Sequence, residues 1–107
     1  MKVLKFGGTS VGSAENINKV INILDQQSKN TNIAVVVSAV GGITDKLLEA
    51  ANLACDKNED YKQKYDVIWS IHNKVIEGLF ENSENDSELQ KHQDNLRELI
   101  SEKLNEL

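Results

Sequence analysis

The sequence predicts an α/β protein: a parallel β-α-β-α unit over residues 1–57, then an antiparallel helical pair over residues 58–107. Three observations carry this expectation. Two short apolar runs, at residues 2–6 and 33–37, are each followed by a glycine pair and then by apolar residues at helical spacing. From Asn58 onward the strand pattern disappears and only helical periodicity remains. The chain also lacks proline, which suits a helix-rich molecule.

Residues 2–6, Lys-Val-Leu-Lys-Phe, read as a short strand that Lys2 opens as a solvated residue. Ser13 has the chemistry of an N-cap, and Ile17, Val20, Ile21 and Leu24 after it form the stripe of a helix with one buried face. The polar stretch Ser28 to Asn32 leads to Ile33-Ala34-Val35-Val36-Val37, the run expected of a central parallel strand covered on both faces. Ser38 to Thr44 forms a second glycine turn, and the next helix places Leu47, Leu48, Ala51, Ala54 and Cys55 on its inner side. Cys55 is thereby expected to be simple core.

In the second half, Tyr65, Ile68, Trp69, His72, Val75, Ile76, Leu79 and Phe80 keep helical register. Trp69 is expected to anchor the helical pair to the helices of the sheet, and His72 to pack or to hydrogen-bond between helices. Asn82 to Asp86 is a polar connection, and Ser87 with Gln90 has the spacing of a capping box. Leu89, Leu96, Leu99, Ile100, Leu104 and Leu107 mark the last amphipathic helix. The acidic cluster Glu81, Glu84, Asp86 and Glu88 favours that helix's N-terminus, and neither it nor His92 offers a metal-ligand pattern.

Composition sets outer limits. A chain of 107 residues normally makes one domain with a modest core, and 39% apolar with 27% charged residues is ordinary for a soluble protein. A net charge of −5 excludes a global field for nucleic acid or an anionic membrane, so any anion site must be local. The run from Ile33 to Val37 is far too short to span a bilayer, and residues 1–5 lack the apolar region of a signal peptide. A single cysteine makes no internal disulfide, which fits a cytoplasmic location.

Lys5-Phe6-Gly7-Gly8-Thr9-Ser10 is the stretch with chemistry in it. A strand end, a glycine turn and a helix start present free backbone N–H groups to an anion, and Lys5 adds a positive charge beside them. A right-handed crossover makes the two strands parallel, so both glycine turns leave the same edge of the sheet, where ligands of open α/β sheets bind. Two standard phosphate loops are excluded. Gly7 and Gly12 have Walker spacing, but Ser13-Ala14 stands where Lys-Ser/Thr is required. Residues 7–12 also lack the G-x-G-x-x-G of dinucleotide folds. Alone, a Gly-Gly turn after a strand is more often a bare tight turn; Lys5 and the second turn tip the balance toward an anion site.

Lys5-Phe6-Gly7-Gly8-Thr9-Ser10-Val11-Gly12, with Val35-Val36-Val37-Ser38-Ala39 and Gly42-Ile43-Thr44-Asp45, resembles the N-terminal part of aspartokinases, in the amino-acid kinase superfamily. The start Met1-Lys2-Val3-Leu4-Lys5 looks most like the bifunctional aspartokinase–homoserine dehydrogenase type or its close monofunctional relatives. The resemblance covers residues 1–55 well, while the helical remainder carries no diagnostic motif.

It implies the N-terminal part of a three-layer α/β/α amino-acid kinase domain that transfers the γ-phosphoryl group of ATP to the aspartate side-chain carboxylate, in lysine, threonine and methionine biosynthesis. It further implies that Lys5 is catalytic and contacts the transferred group, that Gly7, Gly8, Thr9 and Ser10 lie against phosphate, and that Ser38, Ala39 and Thr44 help to hold the amino acid. ATP and Mg²⁺ are expected to be bound largely by parts outside these residues, with aspartate as the substrate, a homo-oligomer as the assembly, and neither nucleic acid nor membrane as a partner. Other amino-acid kinases, acting on glutamate, acetylglutamate or a carbamate, are the nearest alternatives. A non-catalytic helical interaction module is the alternative outside enzymology.

Two strands are too few for so apolar a parallel pair, and the last helix reaches Leu107 without a stop signal. The expectation is the beginning of a larger domain, catalytically inactive as an isolated piece. The 107 residues alone are expected to self-associate through open strand edges. Light scattering that finds a stable, well-folded monomer counts against this.

Overall fold

The computed structural model describes residues 1–81 and 86–106. The elements run β1 (Lys2–Phe6), α1 (Ala14–Gln27), β2 (Ile33–Val37), α2 (Ile43–Cys55), α3 (Tyr61–Leu79) and α4 (Ser87–Asn105). Strands β1 and β2 pair in parallel, Lys2 opposite Ile33 through Phe6 opposite Val37. The β-α-β-α order therefore stands, and both strands end in a glycine turn on the same side.

Local signals account for most element ends. Ser13 caps α1 as expected, its hydroxyl accepting from the Asn16 amide at 3.2 Å. Gly42 precedes α2 with φ of 83°, a left-handed conformation that glycine adopts without a Cβ penalty. The capping box at Ser87 does not form. Asp86 is the cap instead, one Oδ1 accepting from the Glu88 and Leu89 amides at 3.0 and 3.2 Å, and Ser87 is the first helical residue. A carboxylate at this end also meets the positive end of the helix dipole. Of the expected Asn82–Asp86 connection, residues 82–85 lie outside the described residues, as do Glu84 of the acidic cluster and Leu107 of the last stripe.

The core is helical. Ile43 of α2, Ile68 of α3 and Leu104 of α4 are buried together, with Val40, Leu47, Tyr65, Trp69, Ile71 and Ile100 packed around them. Trp69 thus anchors α3 against its neighbours as expected. Helices α3 and α4 run antiparallel: Tyr65 donates its hydroxyl proton to Asn105, and Arg97 donates through Nε to Asn73 at 2.8 Å. The inner stripe of α4 includes buried Gln93 along with Leu104, while Leu89 and Leu99 are exposed. The His72 ring bonds within its own helix rather than between helices, Nδ1 lying 2.8 Å from the Ile68 carbonyl oxygen.

Three expected burial patterns are corrected. Strand β2 is not covered on both faces: Val35, Val36 and Val37 are 41%, 50% and 58% exposed, because β1 is its only sheet neighbour among the described residues. The inner side of α2 is rotated. Ile43 is buried and Leu47 and Ala50 are partly buried, whereas Leu48, Ala51, Ala54 and Cys55 are exposed. Helix α2 packs on α3 along a single stripe, and residues one position off that stripe stay in solvent. Cys55 is thus no core residue. For the same reason Ile21 of α1 is exposed while Val20 is buried.

The α2–α3 junction uses an uncommon residue in a common motif. The amides of Lys57 and Asn58 donate back to the carbonyls of Ala54 and Leu53 at 3.0 and 2.8 Å, closing α2 with a Schellman turn. Lys57 holds the left-handed position with φ of 56°, where glycine is favoured. Lys57→Gly is expected to raise stability by ~0.5–1 kcal/mol, the left-handed penalty less the entropy glycine loses on folding. Urea unfolding checks this, and an unchanged or lower midpoint contradicts it.

Candidate functional site

The site is built where the two strands end. The ladder continues one step past β2 through the Ser38 amide, which donates to the Phe6 carbonyl at 3.0 Å. The Gly41 amide then donates to the Gly8 carbonyl at 3.1 Å, so the loop after β2 is clasped to the loop after β1. A side chain at this crossing would be tight, requiring the facing backbone to give by a few tenths of an ångström. A Cβ on Gly8 would stand 3.2 Å from the Gly41 Cα and 3.3 Å from the Ala39 carbonyl oxygen, and one on Gly41 would stand 3.1 Å from the Gly8 oxygen. Glycine at both positions suits so close a meeting of the two loops.

The first loop is also tied to the helix it feeds. The Thr9 carbonyl accepts from the Gly12 amide at 3.2 Å and from Asn16 Nδ2 at 3.0 Å. The Gly8 and Thr9 carbonyls are thus engaged, while the Gly7, Gly8 and Thr9 amides meet no acceptor among the described residues. Three consecutive amides left without a protein acceptor are what an anion cradle needs. Lys5, exposed on β1 opposite Val36, takes part in no ion pair among the described residues.

Of the residues singled out in the sequence, Lys5, Gly7, Gly8, Thr9 and Ser10 lie at or just beyond the end of β1, and Ser38 and Ala39 just beyond the end of β2. The Phe6–Ser38 and Gly8–Gly41 bonds bring these two groups together. Thr44 is the second residue of α2, exposed, just after the loop. It also lines a groove of about 670 Å³ whose walls include Leu47, Leu48, Ala51, Tyr61 and Leu104, and no residue of the first glycine loop borders that groove. Among the described residues no group of three or more His, Cys, Asp or Glu could hold a metal ion, and no helix is long and apolar enough to cross a membrane.

Asn16 and Gly41 matter to this geometry, and neither was among the candidate binding residues named from the sequence. Asn16 carried a weak signal, three residues after the Ser13 cap on the first turn of α1. Gly41 carried a stronger one, as the first of a second glycine pair after a strand.

A sequence model of the Amino acid kinase family matches residues 1–106, and the chain belongs to that family. Within it, the chain resembles the N-terminal segment of aspartokinases. It is 40% identical over 74 residues to an aspartokinase of Geobacillus stearothermophilus, covering 68% of this chain and 18% of that protein. A Bacillus sp. (strain MGA3) aspartokinase is 54% identical over 50 residues, 46% of this chain and 12% of the relative. A bifunctional aspartokinase/homoserine dehydrogenase of Buchnera aphidicola is 39% identical over 59 residues, 55% of this chain and 7% of the relative. The chain thus spans under a fifth of the length of each of these relatives.

The clasp yields a direct expectation. Gly8→Ala forces a methyl group against the Gly41 backbone and should cost ~1–3 kcal/mol, as overpacking does. It should also remove the protection of the Gly41 amide in hydrogen exchange. An amide that stays as protected as in the parent chain contradicts the clasp.

Proposed function

We propose that these residues form the phosphate-binding and substrate-facing part of an aspartate kinase, within a three-layer α/β/α domain whose parallel sheet includes β1 and β2. The observation that carries this reading is the Gly41–Gly8 hydrogen bond, which sets the glycine loop that follows Lys5 and β1 beside the Ser38-Ala39 loop at one sheet edge. The names of the relatives give its direction toward aspartate. Lys5 and the amides of Gly7, Gly8, Thr9 and Ser10 take the phosphates of ATP; Ser38, Ala39 and Thr44 face the amino acid. A cytoplasmic homo-oligomer active in amino-acid biosynthesis belongs to the same proposal.

The chemistry asks little of the protein beyond positioning and charge. A carboxylate is already a nucleophile and needs no general base. One of its oxygens bonds to the γ-phosphorus as the bond to the β,γ-bridging oxygen breaks, leaving ADP and an acyl phosphate. Charge spreads over the three phosphoryl oxygens in that transition state. The Lys5 ammonium and preorganised N–H groups stabilise it best when water is excluded. Mg²⁺ accompanies ATP in this reading, but no metal-ligating cluster occurs among the described residues, and no step is assigned to it.

The test is ATP-dependent acyl phosphate formation by the full-length protein, trapped with hydroxylamine, with aspartate compared against glutamate, acetylglutamate and carbamate. Preference for aspartate is expected, and turnover of another acceptor alone overturns the assignment. Lys5→Ala should lower turnover by ~100-fold or more while leaving the melting temperature close to the parent's. Turnover surviving within about threefold, ~0.6 kcal/mol in the barrier, removes Lys5 from its role in phosphoryl transfer. Lys5→Arg should also be poorly active, since a planar fork does not replace a compact ammonium.

A further inference from the structure

Gly78 lies in the last turn of α3, far in sequence from the loops of the site. An interior helical glycine costs ~1 kcal/mol relative to alanine, so its presence calls for a local reason. The usual reason at a helix end, a left-handed cap, does not apply. Phe80 is the cap residue, and among the described residues those with positive φ are Gly42 and Lys57. The reason is instead across the helix interface. A Cβ built on Gly78 would stand 2.5 Å from the Cβ of Ala14, a distance that real Cβ atoms do not reach.

Ala14 is the first residue of α1, between the Ser13 cap and the first turn. Two residues on, Asn16 Nδ2 holds the Thr9 carbonyl at 3.0 Å, and the Gly12 amide holds the same oxygen at 3.2 Å. Gly12 in turn fits closely over the Gly8 carbonyl, a Cβ there standing 3.0 Å from the Gly8 oxygen. A continuous set of contacts therefore runs from α3 through Ala14 and Asn16 to Thr9 and Gly8. Closely packed elements move as units when one contact is forced apart, because interiors have few voids to absorb a shift.

We infer that Gly78 is a positioning residue for the phosphate loop: its missing side chain lets the N-terminus of α1 seat on α3, and that seat fixes the Thr9 carbonyl through Asn16. This rests on the kinase reading for its consequence in turnover, though not for its geometry. A displacement near 1 Å at a reacting group costs up to ~100-fold in rate, so a single methyl group at the α1–α3 crossing has leverage on catalysis.

The experiment compares the parent, Gly78→Ala, and the double variant Ala14→Gly with Gly78→Ala, which moves the methyl group to the opposite helix. Each full-length protein is labelled with ¹⁵N-glycine and assayed for ATP-dependent aspartate phosphorylation. Gly78→Ala is expected to shift the Gly7, Gly8 and Gly12 amide signals and to lower kcat by about tenfold per folded molecule. The double variant is expected to restore both, to within about threefold in kcat. A Gly78→Ala protein that melts earlier but keeps parent glycine signals and parent kcat shows a merely structural residue and overturns the inference. Should Gly78→Ala fail to fold, the double variant decides: native glycine signals support the contact, while displaced signals or failure to fold overturn it. A parent enzyme that phosphorylates nothing removes the kinase reading, and the glycine signals still decide the positioning role.

Discussion

Gly41 donating to Gly8 is the contact on which the rest of the site depends. Two parallel strands fix only the direction in which their loops leave the sheet. What makes those loops a single surface is one backbone hydrogen bond at 3.1 Å, at a crossing where a Cβ on either side would be tight. With that bond in place, the Gly8 carbonyl faces inward, and the amides of Gly7, Gly8 and Thr9 are left for something else. A neutral structural turn would satisfy its donors locally. This one engages the Gly8 and Thr9 carbonyls and leaves three consecutive amides without an acceptor among the described residues, which is the basis of the anion reading in a chain of net charge −5.

The order of elements, the parallel pairing and the two glycine turns were legible in the sequence because each rests on a local cause. Ser13 can cap because a hydroxyl reaches the third amide along, and Ile17, Val20 and Leu24 point one way because a helix turns once in about 3.6 residues. Burial was less legible, since it depends on which neighbours arrive. The valines of β2 carry the composition of a covered strand, but the described residues set only β1 beside it in the sheet. On α2 the periodicity was right and the phase wrong. Ile43, which follows the glycine pair and reads as part of a turn, is the most buried residue of its helix, and Cys55 falls on the wet side.

In the candidate site, the residues proposed to bear chemistry were named from the sequence, and the groups that support them were not. Lys5 and the glycine pairs announce themselves through residue type and place. Asn16 is one of several asparagines in and around α1, and only its distance to the Thr9 oxygen distinguishes it. Asp86 rather than Ser87 caps α4 because a carboxylate at that position reaches two amides at once. Such choices between adjacent candidates turn on backbone angles that no residue type specifies. Gly78 belongs to the same class, a residue whose meaning lies wholly in what stands opposite it.

The placement of the buried cluster has one more consequence. Its three members, Ile43, Ile68 and Leu104, come from α2, α3 and α4, and no strand residue is fully buried. Apolar burial is the main source of cohesion, so the helices hold together more firmly than the sheet they accompany. Proteins open in cooperative units, beginning with those that bury least. Among the described residues taken by themselves, local opening is expected to begin in the two strands and their loops, which bury less than the helices.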